Sequence, residues 1–462
     1  MTSLANGASG PAPTARGARC RPAACLSAVA AVLACARLAA ASPYNVPADG
    51  GLREAVLHAN ASAGEDVIRV APGTFTFHVA GRDEDLAARG DLDIRDDLRI
   101  VGAGSGRTII DAGGLDRVFE VFPGIRLDLS GVTITGGVTA ALFAGGGGIL
   151  SSGIVSMTDT VVAGNSAFLG GGIENDRGTL TMTRSAVTGN AAQATLFSGG
   201  GIVNVNHAAM WITDSTVSEN SAPSSGAGIF NSNTSALVIH NSTISGNSAS
   251  SDHTNTKGGA IHNSSSSTLE LVNTTVSGNS SAYYGGGVYQ SSGSGATTVT
   301  IVNCTITGNR AKVGGGICND DTDSTVNIRN TIVAENAATV GSPDLHASFT
   351  SLGYNLVGDA GGGTGSFLAS DRHGGGGAPA LDPMLGPLRD NGGPTRTHAL
   401  IPGSPAIDAV PAAHGYPATD QRGFGRPYNE LVDVGAFEVI PEPATLWLLA
   451  LSAVALLRPK RR

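Results

Sequence analysis

Apolar residues recur at every second position in short runs through the middle of the chain, as in Leu180-Thr-Met182, Leu237-Val-Ile239 and Leu269-Glu-Leu271. A period of two puts successive side chains on opposite faces of a strand. The runs belong to a larger unit that repeats from Gly145 to Ala338. Each unit opens on a Gly-rich turn and one apolar residue: Ile149, Ile173, Ile202, Ile229, Ile261, Val288, Ile317. Each closes on an Asn: Asn165, Asn190, Asn220, Asn247, Asn279, Asn309, Asn336. The closing Asn residues stand 25 to 32 apart, the range of a solenoid repeat. No helix-length apolar period lies between them. The pattern therefore predicts an all-β, single-stranded parallel β-helix, each repeat one coil, stacked at a spacing of about 4.8 Å. Unequal repeat lengths predict loops bulging from one corner.

Aligned coils sort residues into columns. After the apolar residue of each Gly-rich turn the next side chain points outward and the one after it inward. The inward column is Asn175, Asn204, Asn231, Asn263, Gln290 and Asn319. Stacked amides can hydrogen-bond along the axis, so this column reads as a structural ladder, and the closing Asn residues read the same way. The outward column is Glu174, Val203, Phe230, His262, Tyr289 and Cys318. Phe230, His262 and Tyr289 make it a candidate ligand face for sugar rings or a partner, or a stripe covered by a neighbouring loop. At another corner Asp159, Arg184 and Asp214 fall on successive coils, followed by Asn241, Asn273, Asn303 and Asn330. Alternating charge there reads as an ion ladder. It is also the best place in the sequence for acid–base chemistry.

Composition narrows the class. Gly supplies 66 of 462 residues, about twice the usual share, but without the strict third-residue period of collagen. A hydrophobic content of 41% in regular spacing excludes simple disorder. The formal charge of −9 speaks against a nucleic-acid partner. Arg16, Arg19 and Arg21 precede the apolar run Ala23 to Ala36, and Ala39-Ala40-Ala41 follows. Residues 1–41 thus read as a signal peptide for the Sec translocon. At the other end Pro441-Glu442-Pro443 leads into fourteen uncharged residues, Ala444 to Leu457, and then Arg458, Lys460, Arg461 and Arg462. That apolar helix is shorter than the ~20 residues of a relaxed membrane span. Setting aside residues 1–41 and 441–462, which hold eight of the cations and one carboxylate, leaves 20 Lys+Arg against 36 Asp+Glu, a charge of −16. The exported body is acidic.

Several segments resemble known families. The order Pro-Glu-Pro, apolar helix, terminal Arg cluster resembles the PEP-CTERM sorting signal of Gram-negative bacteria. That resemblance implies recognition by an exosortase, transient anchoring in the inner membrane, and delivery to the cell surface, outer membrane or extracellular matrix. Leu52-Arg-Glu-Ala55, Ala71-Pro-Gly-Thr-Phe75, Gly90-Asp-Leu-Asp-Ile94 and Ile100-Val-Gly-Ala-Gly104 resemble the CSLREA region of bacterial surface β-helices, with Gly50-Gly51 in place of its Cys-Ser. A short helix around Arg53 to Asn60 would then cap the first coil. The Gly-Gly-x-Ile and x-x-x-Asn units resemble the repeats of chlamydial polymorphic outer-membrane proteins. Asp390-Asn-Gly-Gly-Pro394, Gly403-Ser-Pro-Ala-Ile-Asp408, Asp420-Gln-Arg-Gly423 and Asp433-Val-Gly-Ala-Phe-Glu438 resemble the choice-of-anchor Q domain. These likenesses, with the usual crossover handedness, imply a right-handed helix. They divide the chain into signal (1–41), cap and first coils (42–125), repeats (126–340), anchor-like domain (341–440) and sorting tail (441–462).

Catalytic signals are poor. No P-loop, no serine elbow with partners and no zinc spacing occurs, so catalytic residues are read as none, with Asp159, Arg184 and Asp214 as weak candidates. No resident cofactor or metal is expected. Asp320, Asp321 and Asp323 could hold Ca²⁺ in one loop, though their spacing fits no EF-hand. Cys304 falls in an inward column of Thr and Ser, Cys318 in the outward one, so two free thiols are expected. The reading is an exported, surface-sorted β-helix with a structural or adhesive role in the envelope or exopolysaccharide matrix, its ligand a polysaccharide or surface protein. The other reading is a polysaccharide lyase or glycoside hydrolase acting on acidic polysaccharide.

Overall fold

The coil that begins at Ile173 shows how each repeat folds: strands Ile173–Asp176, Thr179–Thr183 and Ala186–Thr188, then the two-residue strand Ala191–Ala192. Each strand pairs in parallel with its equivalent one coil on, so Ile173, Glu174 and Asn175 face Ile202, Val203 and Asn204. Stacking produces four sheets in a parallel β-solenoid of about eleven turns. Sheet 1 has ten strands, from Leu92–Ile94 to Leu345–His346, and sheet 2 has twelve, from Pro43–Val46 to Thr350–Ser351. Sheet 3 has twelve strands, from Gly73–Thr76 to Arg372–Gly374, and sheet 4 has seven, from Ser166–Ala167 to Ala337–Val340. This computed structural model describes residues 43–440 except 49, 82–83, 140, 196–197, 252–255, 292, 294, 347, 362–364 and 429.

The alternation explains the core. Ile173, Leu180, Met182 and Val187 all point inward and are fully buried, and their equivalents in other coils stack on them in one continuous apolar column. A single coil cannot bury such residues by itself, so coil-on-coil stacking supplies the driving force. Helix α1, Leu52–Ala61, buries Leu52, Ala55, Val56 and Ala59, one face at the helical spacing. That face packs on strands Pro43–Val46, Asp66–Val70 and Leu92–Ile94.

The coil does not stop at residue 340, where the repeat signature fades. Leu345–His346, Thr350–Ser351, Leu356–Asp359 and Arg372–Gly374 still pair with the sheets. Ladder pairing uses backbone groups, so it outlasts the side-chain motif. The chain then folds back along sheet 3. Leu400, Val410, Val432, Val434 and Phe437 pack on Ile332, Ala334 and Leu356. Gly435 N–H donates to Asn330 O at 2.8 Å and Thr243 Oγ1 to Arg396 O at 2.6 Å. The expected signal peptide and apolar sorting helix fall on residues outside those described. Among the described residues, no helix is long and apolar enough to cross a membrane.

Candidate functional site

Asp159, Arg184 and Asp214 share a backbone conformation. All three turn the corner between sheets 2 and 3 in the left-handed region, at φ 49, 46 and 51°, as do Asn241, Asn273, Asn303 and Asn330 further on. Asn and Asp tolerate that conformation best among side-chain-bearing residues. Arg184 grips Asp159 with two parallel hydrogen bonds, Nε to Oδ1 at 2.9 Å and Nη2 to Oδ2 at 3.0 Å. Both side chains are about half exposed. The Arg184 hydrogen bond holds the Asp159 carboxyl below its usual range, so it stays ionised and poorly basic. Among the described residues no ion pair joins Arg184 to Asp214. The structure thus brings two of the three together, in a self-satisfied surface pair.

The outward column of sheet 1 is covered. Phe230, His262 and Tyr289 meet in succession as inclined, edge-on rings, with centroids 5.1 and 5.0 Å apart and planes 60 and 65° apart, but they are only 3, 4 and 0% exposed. Of the two alternatives for this column, an open ligand face or a covered stripe, these three residues are in the covered state. The cover is the Gly-rich turn preceding each strand, which folds back over the same column. At Gly285 (φ 58°) a Cβ would lie 2.6 Å from Tyr289 Cβ, and at Gly258 (φ 68°) 2.9 Å from His262 Cβ. Only glycine permits both the conformation and the approach. Tyr289 donates to Asp320 Oδ2 at 3.0 Å, and Lys257 Nζ sits 5.4 Å from its ring centroid. Burial, with Lys257 nearby, pushes the His262 pKa down to about 3. Cys318 faces outward yet is buried by the same turns, and Cys304 is buried inside; both are free thiols pushed up to about 12 by burial.

Traced toward the N-terminus, this column changes character. Register pairs Val203 with Glu174, Glu174 with Leu150, Leu150 with Glu120, and Glu120 with Asp93. Asp91, just before the strand Leu92–Ile94, joins Asp93 and Glu120 in a cluster whose ligand-type oxygens all lie within 4.8 Å of one another. Burial, opposed by the Arg117 charge, raises the Asp91 pKa to about 8; burial, opposed by a hydrogen bond from Ala87 N–H, raises Asp93 to about 7. Burial also lifts Glu174 to about 7. The sequence reading missed Asp91, Asp93 and Glu120. The signal was present in Gly90-Asp-Leu-Asp-Ile94, an alternation equivalent to Ile-x-Asn in the later coils.

The Asn columns are hydrogen-bonded ladders. Asn175 Nδ2 donates to Asn204 Oδ1, Asn204 to Asn231, Asn231 to Asn263, and Asn263 to Gln290 Oε1, at 2.7 to 2.8 Å. Asn319 instead donates to Ser348 O at 2.9 Å. The closing ladder runs from Asn165 to Asn336 and ends on Asp344 Oδ1 at 2.8 Å. In the proposed calcium loop the three carboxylates do not converge. Asp320 accepts from Tyr289, while Asp321 accepts from Asp323 N–H and the Ser324 hydroxyl. In the C-terminal segment Asp420, Arg422, Arg426, Asp433 and Glu438 form a buried network; Asp420 accepts from the Arg422, Phe424 and Glu438 N–H groups at 2.9 to 3.0 Å. These residues fasten turns.

The fold and its C-terminal motif define a parallel β-solenoid that carries a sorting signal. The profile of the PEP-CTERM protein-sorting motif matches residues 439–462. Such a motif is recognised by an exosortase and marks an exported, membrane-sorted protein. Pro441, Glu442 and Pro443 lie within it, outside the described residues. The crystal structure of pectate lyase Pel9A is similar in fold, with a TM-score of 0.53 and 15% identity over 87% of this chain and 98% of that one. Compared with curated proteins, the sequence matches none.

Proposed function

We propose that this protein is a surface-sorted, right-handed β-helix with a structural or adhesive role in the cell envelope or exopolysaccharide matrix. The observation that carries the reading is the sorting motif at 439–462 directly behind a long solenoid. The exposed Asp159–Arg184 pair supports it: each group already satisfies the other, leaving neither a spare acid nor a free base. The CSLREA-like start and the anchor-like end fit the same role. The outer face of sheet 2 would make the contacts, with Trp211 38% exposed on it.

A second reading, a lyase or hydrolase of acidic polysaccharide, is favoured by Glu174, whose pKa near 7 suits a general acid or base. The likeness to pectate lyase Pel9A also fits it. The test is to pass the purified full-length chain over columns of acidic and neutral polysaccharides while following unsaturated products and reducing ends. Retention without turnover is the expected result. Turnover that disappears in Asp159→Asn, Asp214→Asn or Glu174→Gln would overturn the structural reading and locate the site.

A further inference from the structure

We propose that Asp91, Asp93 and Glu120 hold one divalent cation of the calcium type, which staples the loop before Leu92 to the first coils. Asp93 and Glu120 are register partners on adjacent coils, and Asp91 ends the segment that leads from strand Gly73–Thr76 into strand Leu92–Ile94. An oxygen from each lies within 4.8 Å of the other two. Two oxygens on opposite sides of one Ca²⁺, each at about 2.3–2.6 Å, reach that separation. Three carboxylates are hard ligands of the kind Ca²⁺ takes, with water completing the shell.

The cluster crowds three carboxylates into a mostly buried site. Asp91 and Asp93 are 4 and 0% exposed. Arg117 Nη1 touches Glu120 and lies 3.4 Å from Asp91 Oδ2, and its own Nε is buried without a partner. Asp93 Oδ2 accepts from Ala87 N–H at 2.6 Å, while its Oδ1 is buried with no partner. Arg53 lies close but spends its donors on the carbonyls of Ala87, Gly90 and Asp91. Arg117 is thus the cation in contact with these carboxylates, with the Arg53 charge close by, and buried carboxylates of that kind are costly unless protonated, paired or metal-bound. Access exists, since the Glu120 and Arg117 side chains keep 24 and 16% exposure at the rim.

The inference does not depend on the structural or adhesive reading. Its test is calorimetric titration of the chelator-stripped full-length chain with Ca²⁺ alone, alongside thermal unfolding with and without the ion. Saturable binding that raises the first unfolding transition is expected, weakened about ten-fold or more in Asp93→Asn. Glu120→Gln, at the exposed rim, gives the same readout should Asp93→Asn fail to fold. Asp323→Asn is expected to bind as the wild type does. Arg117→Gln removes the competing cation and is expected to tighten binding. Absence of Ca²⁺ binding in the wild type, equal binding in Glu120→Gln, or loss of binding in Asp323→Asn would overturn the proposal.

Discussion

Positions 159, 184 and 214 are turn residues before they are charges. Their left-handed backbone favours Asn and Asp, and every member of the column from 159 to 330 except Arg184 is one or the other. The closing Asn ladder has a similar logic. Asn247 Oδ1 accepts from both the N–H and Nδ2 of Asn220, while its Nδ2 donates to Val217 O and Asn279 Oδ1. Asn247→Ala would strand several buried groups and is expected to cost about 3 kcal/mol or more by denaturant unfolding. Asn247→Asp, nearly isosteric, is expected to be no better, because it sets an oxygen against two acceptors. His262 gives a pH signature. Its folded pKa near 3 lies below the ordinary value of 6.5, so the unfolded chain takes up the proton first. Stability from this group is complete above about pH 6.5 and is lost as pH falls toward 3. His262→Phe is expected to flatten that acid limb in a thermal denaturation series.

Among elements, the strands of the repeats were legible and the start of sheet 1 was not. Ile149, Ile173 and Ile202 share a column in the sequence alignment and in the pairing register alike. Regular coils let spacing alone establish which side chains meet. Before Gly145 the connections are unequal, and Asp93 meets Glu120 across a stretch with no repeated motif. For Phe230, His262 and Tyr289 the sequence left an open face and a covered stripe both open: period two tells inside from outside, but not whether a turn folds over the outside. The closing ladder's terminus, Asp344, was also missed, because a carboxylate in place of Asn breaks the motif while keeping the acceptor. Burial raises its pKa to about 6. A raised carboxylate favours the protonated folded state, so its contribution is present below the unfolded value near 3.8 and is lost as pH rises through 6. Asp344→Asn is expected to remove a decline on the order of 2 kcal/mol between pH 4 and 6. An unchanged slope would show that other groups carry it.

Across the whole molecule, two features legible in the sequence meet: a stack of coils and a sorting tail. Each coil depends on its neighbours, so the ends are the weak points of a solenoid. Helix α1 packs on the first strands, and the returning segment 379–440 is fastened along sheet 3 by Gln421, whose Nε2 donates to Thr243 Oγ1 at 3.0 Å and whose Oε1 accepts from Thr275 at 2.6 Å. The tail carries the sorting signal of this solenoid. The direct test is surface accessibility of the full-length chain on intact cells that make an exosortase, compared with a variant in which Pro441, Glu442 and Pro443 are all replaced by Ala. The account predicts antibody labelling of the wild type at the surface and retention of the variant in the inner membrane. Equal surface labelling of the two would contradict it.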